Sequence, residues 1–173
     1  GIKTKITRFD KSIDDRISNH VEMCEGEIGV IVIEGWCFGA EPQFENQLIT
    51  PVNELERLKD PDGTCRRYIN NALATSYPKL FKMAHSTIML RAPDFDSVFE
   101  WRLEQEEKLI EKLNLTQDGL VGMSVMSKEE IFEFIQSFQR ITETCIEKIP
   151  SKVNHLLQLD PQREIIEYRT LNP

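Results

Sequence analysis

The sequence predicts an α/β fold, a parallel sheet flanked by helices, on three observations. An unbroken β-branched run, Val30-Ile31-Val32-Ile33, reads as a strand buried on both faces, as the strands of parallel sheets are. It stops abruptly on Glu34-Gly35-Trp36, an acid and a glycine where a strand of an open sheet reaches its ligand-binding rim. Beyond it, strand-like and helix-like periods follow in the order helix, strand, helix, helix, strand, which calls for layered α/β packing.

The first element is a short strand over residues 5–9, leading into Phe9-Asp10-Lys11-Ser12-Ile13-Asp14-Asp15-Arg16. That octet is either a solvated loop with local Asp and Ser hydrogen bonds or a substrate loop offering Lys11 and Arg16 to an anionic oxygen. A polar stretch with Glu22, Glu25 and Gly26 precedes the β-branched run. In nucleotide-dependent enzymes an acid placed like Glu34 holds Mg²⁺ directly or through water. The alternative is a strand that stops at a solvated turn.

After Trp36 the loop Cys37 to Gln43 contains Gly39 and Pro42, and Asp60-Pro61-Asp62-Gly63 is a strong turn signal. Residues 66–81 read as one helix, with Ile69, Leu73, Tyr77 and Leu80 at helical spacing. Thr87-Ile88-Met89-Leu90 is a second buried-strand candidate, closed by Arg91-Ala92-Pro93. Asp94 or Asp96 caps the next helix, which carries apolar residues from Phe95 to Leu113, and residues 116–126 form a loop. Ser127-Lys128-Glu129-Glu130 has the capping-box pattern, and the stripe Ile131, Phe134, Ile135, Phe138, Ile141 and Cys145 behind it reads as core. Residues 153–159 form a strand ending on Asp160, and residues 164–168 a last short one.

Composition narrows the functional classes. The 173 residues suit one domain, and 40% hydrophobic with 29% charged residues is the balance of a soluble globular protein. A formal charge of -8 argues against nucleic-acid or anionic-membrane partners. No apolar stretch reaches membrane-spanning length, and no signal-peptide pattern opens the chain. Cys24, Cys37, Cys65 and Cys145 form no CxxC pair, so zinc and a disulfide framework are not expected and a reducing cytoplasm is.

An ordered series of phrases then narrows the reading further. It comprises Phe9-Asp10-Lys11-Ser12 with Asp15-Arg16, Glu34-Gly35-Trp36-Cys37, Pro42-Gln43 and Asn53-Glu54-Leu55-Glu56. Asp62-Gly63, Arg67-Tyr68-Ile69-Asn70, Tyr77, Ala92-Pro93, Trp101-Arg102 with Gln105-Glu106, Arg140-Ile141-Thr142 and Leu159-Asp160 with Arg163 continue it. Taken together the chain resembles the D-glycerate 3-kinase family and its kinase-like relatives, which in turn resemble uridine kinase, pantothenate kinase and phosphoribulokinase. Cys65 departs from the family's tryptophan.

The resemblance implies a P-loop kinase fold that moves the γ-phosphoryl of ATP, with Mg²⁺, to a small hydroxylated substrate. It implies Glu34 as catalytic carboxylate and metal ligand, and Arg102 as the lid arginine at the transferring phosphate, assisted by Arg91. It places Asp10, Lys11, Asp15, Arg16 and Arg140 toward the substrate, and Asp160 with Arg163 toward the adenine. Surface ion pairing is the alternative for Arg102 and Arg140. No Gly-Lys pair occurs, so the phosphate-cradling G-x-x-x-x-G-K-[ST] loop is absent. The expectation is therefore the C-terminal portion of the family pattern, without the P-loop strand and helix, and without tightly bound ATP. Such a portion would leave a sheet edge to be covered by closure or self-association. Three functions follow: a glycerate-type kinase seen without its nucleotide half, a non-catalytic remnant that assembles with itself or another protein, or a nucleoside- or pantothenate-type kinase relative.

Overall fold

The computed structural model describes residues 3–10, 15–112 and 126–171. They fall into two compact units, one of residues 1–34 and 104–127, the other of residues 35–103 and 128–173. The smaller unit contains an antiparallel hairpin, β1 (Thr4–Asp10) and β2 (Asp15–Cys24), paired from Thr4 opposite Cys24 to Asp10 opposite Asp15. The first strand is where the sequence puts it. The second arises from a stretch that reads as polar, because Asn19, His20 and Glu22 interrupt the apolar residues Ile17, Val21 and Met23, and no described side chain of β2 is fully buried.

The larger unit is a mixed sheet with helices. Strands β3 (Ile88–Arg91) and β4 (His155–Leu159) run parallel, from Ile88 opposite His155 to Arg91 opposite Gln158. Strand β5 (Ile165–Thr170) returns antiparallel to β4. The expected all-parallel sheet is thus corrected to a mixed one. A turn of a few residues, Asp160 to Glu164, can only reverse the chain, whereas a parallel return needs a long crossover.

Residues 30–33 correct the sequence reading most sharply. They form no strand, and Val30, Ile31, Val32 and Ile33 are 80, 74, 85 and 56% exposed. A strand exists through its partners, and among the described residues none pairs with this run. Nor is β3 buried on both faces: Ile88 and Leu90 are exposed, and only the alternate residues Met89 and Arg91 turn inward. Its outer edge has no neighbouring strand among the described residues.

The helices follow local chemistry. Asn53 caps α1 (Glu54–Lys59), its Oδ1 accepting from the Glu56 amide at 2.9 Å. The expected helix over 66–81 is two, α2 (Thr64–Thr75) and α3 (Tyr77–Phe81), separated at Ser76 with Pro78 in the first turn of α3. Proline supplies no amide to carry a helix across that point but is at home in a first turn. Asp94 caps α4 (Phe95–Lys112), accepting from the Ser97 amide at 2.8 Å and settling the choice against Asp96. The longest helix, α5 (Lys128–Lys148), buries Ile131, Ile135 and Cys145 as expected, while Phe134 of the same stripe is 40% exposed. The core joins Ala40, Leu73, Cys145, Ile149, Val153 and Leu156, so α2, α5 and β4 meet there.

Candidate functional site

A cleft of about 270 Å³ opens in the larger unit, walled by α2, α3 and α5 and by the loop that follows Trp36. The loop is held by its own chemistry. Trp36 lies parallel to Phe138 with centroids 5.1 Å apart, and its Nε1–H donates to Thr142 Oγ1 at 3.0 Å. Gln43 and Asn70 exchange two hydrogen bonds, Gln43 N to Asn70 Oδ1 at 2.7 Å and Asn70 Nδ2 to the Gln43 carbonyl at 3.1 Å.

Arg140, on α5, anchors one wall. Its Nε donates to Glu56 Oε1 at 2.7 Å and its Nη2 to Glu56 Oε2 at 2.6 Å, a two-pronged pair of side chains that are only 11 and 13% exposed. Its other N–H groups reach the Gln47 carbonyl at 2.8 Å, the Thr50 carbonyl at 2.7 Å and Gln43 Oε1 at 3.3 Å. All five guanidinium N–H groups therefore meet protein acceptors. Burial pushes the Glu56 carboxyl upward most strongly. Hydrogen bonds from Arg140 and the Val52 amide, with the charges of Arg140 and Arg66, together outweigh it and hold the group below the usual range.

A second buried pair, Asp60 with Arg66, went unnoticed in the sequence. Arg66 Nη1 lies 3.0 Å from Asp60 Oδ2, and Arg66 also donates to the carbonyls of Leu48, Ile49 and Asp60. The Asp60 carboxylate accepts the amides of Cys65 at 2.8 Å and Arg66 at 3.1 Å, capping α2. Burial raises the Asp60 carboxyl, but those amides and Arg66 together keep it below its ordinary value. The turn signal at Asp60 to Gly63 and an arginine within the first turn of the following helix were the available clues.

The remaining predicted residues are divided between the two units. Glu34 is exposed and closes the smaller unit, beyond the unpaired run. Arg102 belongs to the larger unit, its guanidinium carbon 6.0 Å from the centre of the Phe134 ring. Arg91 ends β3, donating to the Ile146 carbonyl and to Gln158 Oε1, each at 3.1 Å. Asp10 and Asp15 face each other at the end of the β1–β2 pairing, and Asp15 Oδ1 accepts the Arg16 amide at 2.6 Å. Lys11 lies outside the described residues.

Asp160 and Arg163 are brought together in the β4–β5 turn. There the Asp160 carbonyl accepts the Arg163 amide at 3.0 Å and Asp160 Oδ1 accepts the Glu164 amide at 2.8 Å. Arg163 adopts a φ of 67°, and its guanidinium stands 6.0 Å from the Trp101 ring centre, while Trp101 Nε1 donates to the Pro161 carbonyl at 2.7 Å.

The donor set does not by itself make an ATP·Mg²⁺ site. Among the described residues no three metal-ligating side chains gather, and the sequence has no Gly-Lys step to cradle phosphate. A single carboxylate such as Glu34 serves Mg²⁺ only where phosphate oxygens and waters complete the shell.

Comparison with known proteins places these features. No family model matches the chain. It is 27% identical over 143 residues to the chloroplastic D-glycerate 3-kinase of Arabidopsis thaliana, covering 80% of this chain and 27% of that protein. It is also 27% identical over 108 residues to the uncharacterized kinase mug58 of Schizosaccharomyces pombe, covering 62% of this chain and 35% of that one. Among solved structures it matches D-glycerate 3-kinase from Cryptococcus neoformans with a TM-score of 0.74 and 23% identity, over 98% of this chain and 60% of that one. The YGR205w protein matches with a TM-score of 0.59 and 17% identity, over 99% of this chain and 59% of that one. The chain thus spans about a third or less of the curated relatives it matches. Over that span the chain is similar in sequence to a D-glycerate 3-kinase and to an uncharacterized kinase, and in fold to a D-glycerate 3-kinase.

Proposed function

We propose that this chain is the acceptor-side portion of a small-molecule kinase that transfers a phosphoryl group from ATP to a hydroxyl. The reading is carried by the sequence likeness to D-glycerate 3-kinase along 80% of the chain. Phosphoryl transfer needs little covalent chemistry from the protein, so catalysis reduces to positioning and to offsetting charge. We assign Glu34 to Mg²⁺ and to orienting the attacking hydroxyl, and Arg102 with Arg91 to the transferring phosphate. Asp10, Lys11, Asp15 and Arg16 flank the acceptor, and Asp160 with Arg163 stands toward the nucleotide base. Arg140 serves the acceptor side by fixing the cleft wall, because its N–H groups are already occupied. The phosphate cradle must come from residues that this chain does not contain.

The test joins a P-loop-bearing segment of the Cryptococcus relative to this chain and follows ADP release with D-glycerate, uridine and pantothenate. Turnover with one acceptor is expected, falling by about 10²-fold or more in Glu34→Gln and Arg102→Met, with none from the 173-residue chain alone. A folded chimera inactive with all three acceptors would reject the reading.

A second reading, a self-assembling remnant, is favoured by one observation: the exposed run at 30–33 and the open edge of β3 are complementary liabilities within one chain. Light scattering across a concentration series would show a mass above 20.1 kDa that Val32→Pro returns to the monomer. A monomer at every concentration would exclude it.

A further inference from the structure

We propose that the cleft of the larger unit takes an uncharged, hydroxylated ligand with a flat or apolar face and turns carboxylates away. The inference stands apart from the kinase reading, because Glu34, Arg91, Arg102, Asp10, Asp15 and Arg16 do not line this cleft.

The charge on the walls is internally cancelled. The four charged side chains that line the cleft are Glu41, Glu56, Arg66 and Arg140. Each is in an ion pair: Glu41 with Lys152, Glu56 with Arg140, and Arg66 with Asp60. Arg140 has no N–H left to offer, and Arg66 directs its guanidinium at three carbonyls and Asp60. For either arginine to turn toward a ligand it must leave a carboxylate buried and unpaired, which is strongly unfavourable. Cys37, also on the wall, adds no charge: burial pushes its thiol up to about 11.

A carboxylate entering this space would lose water and gain no counter-ion. What the walls do offer is apolar: Leu48, Ile69, Leu73, Phe81, Phe138 and Ile141. Two hydrogen-bonding groups without an intramolecular partner among the described residues, the Tyr77 hydroxyl and the Gln43 side-chain Nε2, remain to orient a ligand. A mostly apolar cleft with a few polar handles is the usual form of a small-molecule site, and the cavity is of small-molecule size.

The test titrates the intact 173-residue chain at neutral pH with uridine, D-glycerate and pantothenate, following binding by calorimetry and ligand-observed NMR. Uridine is uncharged and the other two are carboxylates. Uridine is expected to bind about tenfold or more tightly than either anion, and Tyr77→Phe to weaken it about fivefold. Glu41→Gln, which removes the partner of Lys152, is expected to raise affinity for D-glycerate. Equal or tighter binding of D-glycerate or pantothenate to the native chain overturns the inference, as does the absence of uridine binding. A chimera that phosphorylates D-glycerate beside a cleft indifferent to uridine would sink this inference and leave the kinase reading standing. An inactive chimera beside a uridine-binding cleft would do the reverse.

Discussion

Replacing Arg140 by methionine removes the partner of a nearly buried carboxylate together with three further contacts to the 43–50 segment. Loss of a buried ion-pair partner costs about 3–5 kcal/mol, so chemical denaturation at pH 7 should show a drop of that size. The pH dependence has a definite sign. Glu56 is depressed in the folded state, so its contribution is complete above the ordinary carboxylate range and fades as pH falls toward the depressed value. The gap between native protein and Arg140→Met should therefore narrow on acidification, and a constant gap down to pH 3 would remove Glu56 from the explanation. Thiol chemistry gives an independent check. Burial holds Cys37 at about 11 and Cys145 at about 12, so both stay protonated, whereas Cys65 is exposed. Maleimide at neutral pH should modify Cys65 first, Cys37 on the cleft wall far more slowly, and buried Cys145 only on unfolding, with peptide mapping as the readout. At this scale the sequence names candidate residues but not their surroundings. Arg140 stands in the family phrases as a substrate residue, yet its neighbours in space, Glu56 and three backbone or amide oxygens, are dispersed over the chain and invisible in its own surroundings.

Elements with a local cause were legible. The helices α4, capped by Asp94, and α5, and the strands β1, β3, β4 and β5 all stand close to where periodicity puts them. Gly63 shows how strictly a local cause can act. It opens α2 at a φ of 77°, and a Cβ there would stand 2.6 Å from Arg67 Nη1 and 3.1 Å from the Arg66 guanidinium. Gly63→Ala should destabilise by about 1–2 kcal/mol through the left-handed backbone alone, with more from displacing Arg66. A thermal midpoint unchanged from the native protein would show that the turn tolerates a side chain. Elements whose cause is a partner were not legible. Residues 30–33 have every apolar mark of a strand, but apolarity does not specify what pairs with it. The division between α2 and α3 was written in Pro78, whose meaning as a helix start was overridden by the continuing apolar period.

For the whole molecule, the α/β class was readable from element order, while the mixed sheet follows from one turn, Asp160 to Glu164, whose shortness already requires a reversal that the parallel-sheet expectation passed over. The cleft was not readable, because its walls come from α2, α3, α5 and a loop that only the fold assembles. Truncating Ile135, fully buried on α5, to alanine should cost about 2–5 kcal/mol and carry the cleft with it, checked by loss of ligand-observed NMR signals along with stability.

The stitching of the 36–56 segment onto α5 also has a temporal side. Its hydrogen bonds to that helix join residues 81 to 106 positions apart, Leu55 to Gln136 at the near end and Trp36 to Thr142 at the far one. At translation rates of roughly 5–20 residues per second, the earlier partner leaves the ribosome on the order of ten seconds before the later one exists. For that interval Trp36 and the Asn53 side-chain amide lack their α5 partners, while the Asn53 cap on α1, the Gln43–Asn70 pair and the Arg66 contact to the Leu48 carbonyl can already form.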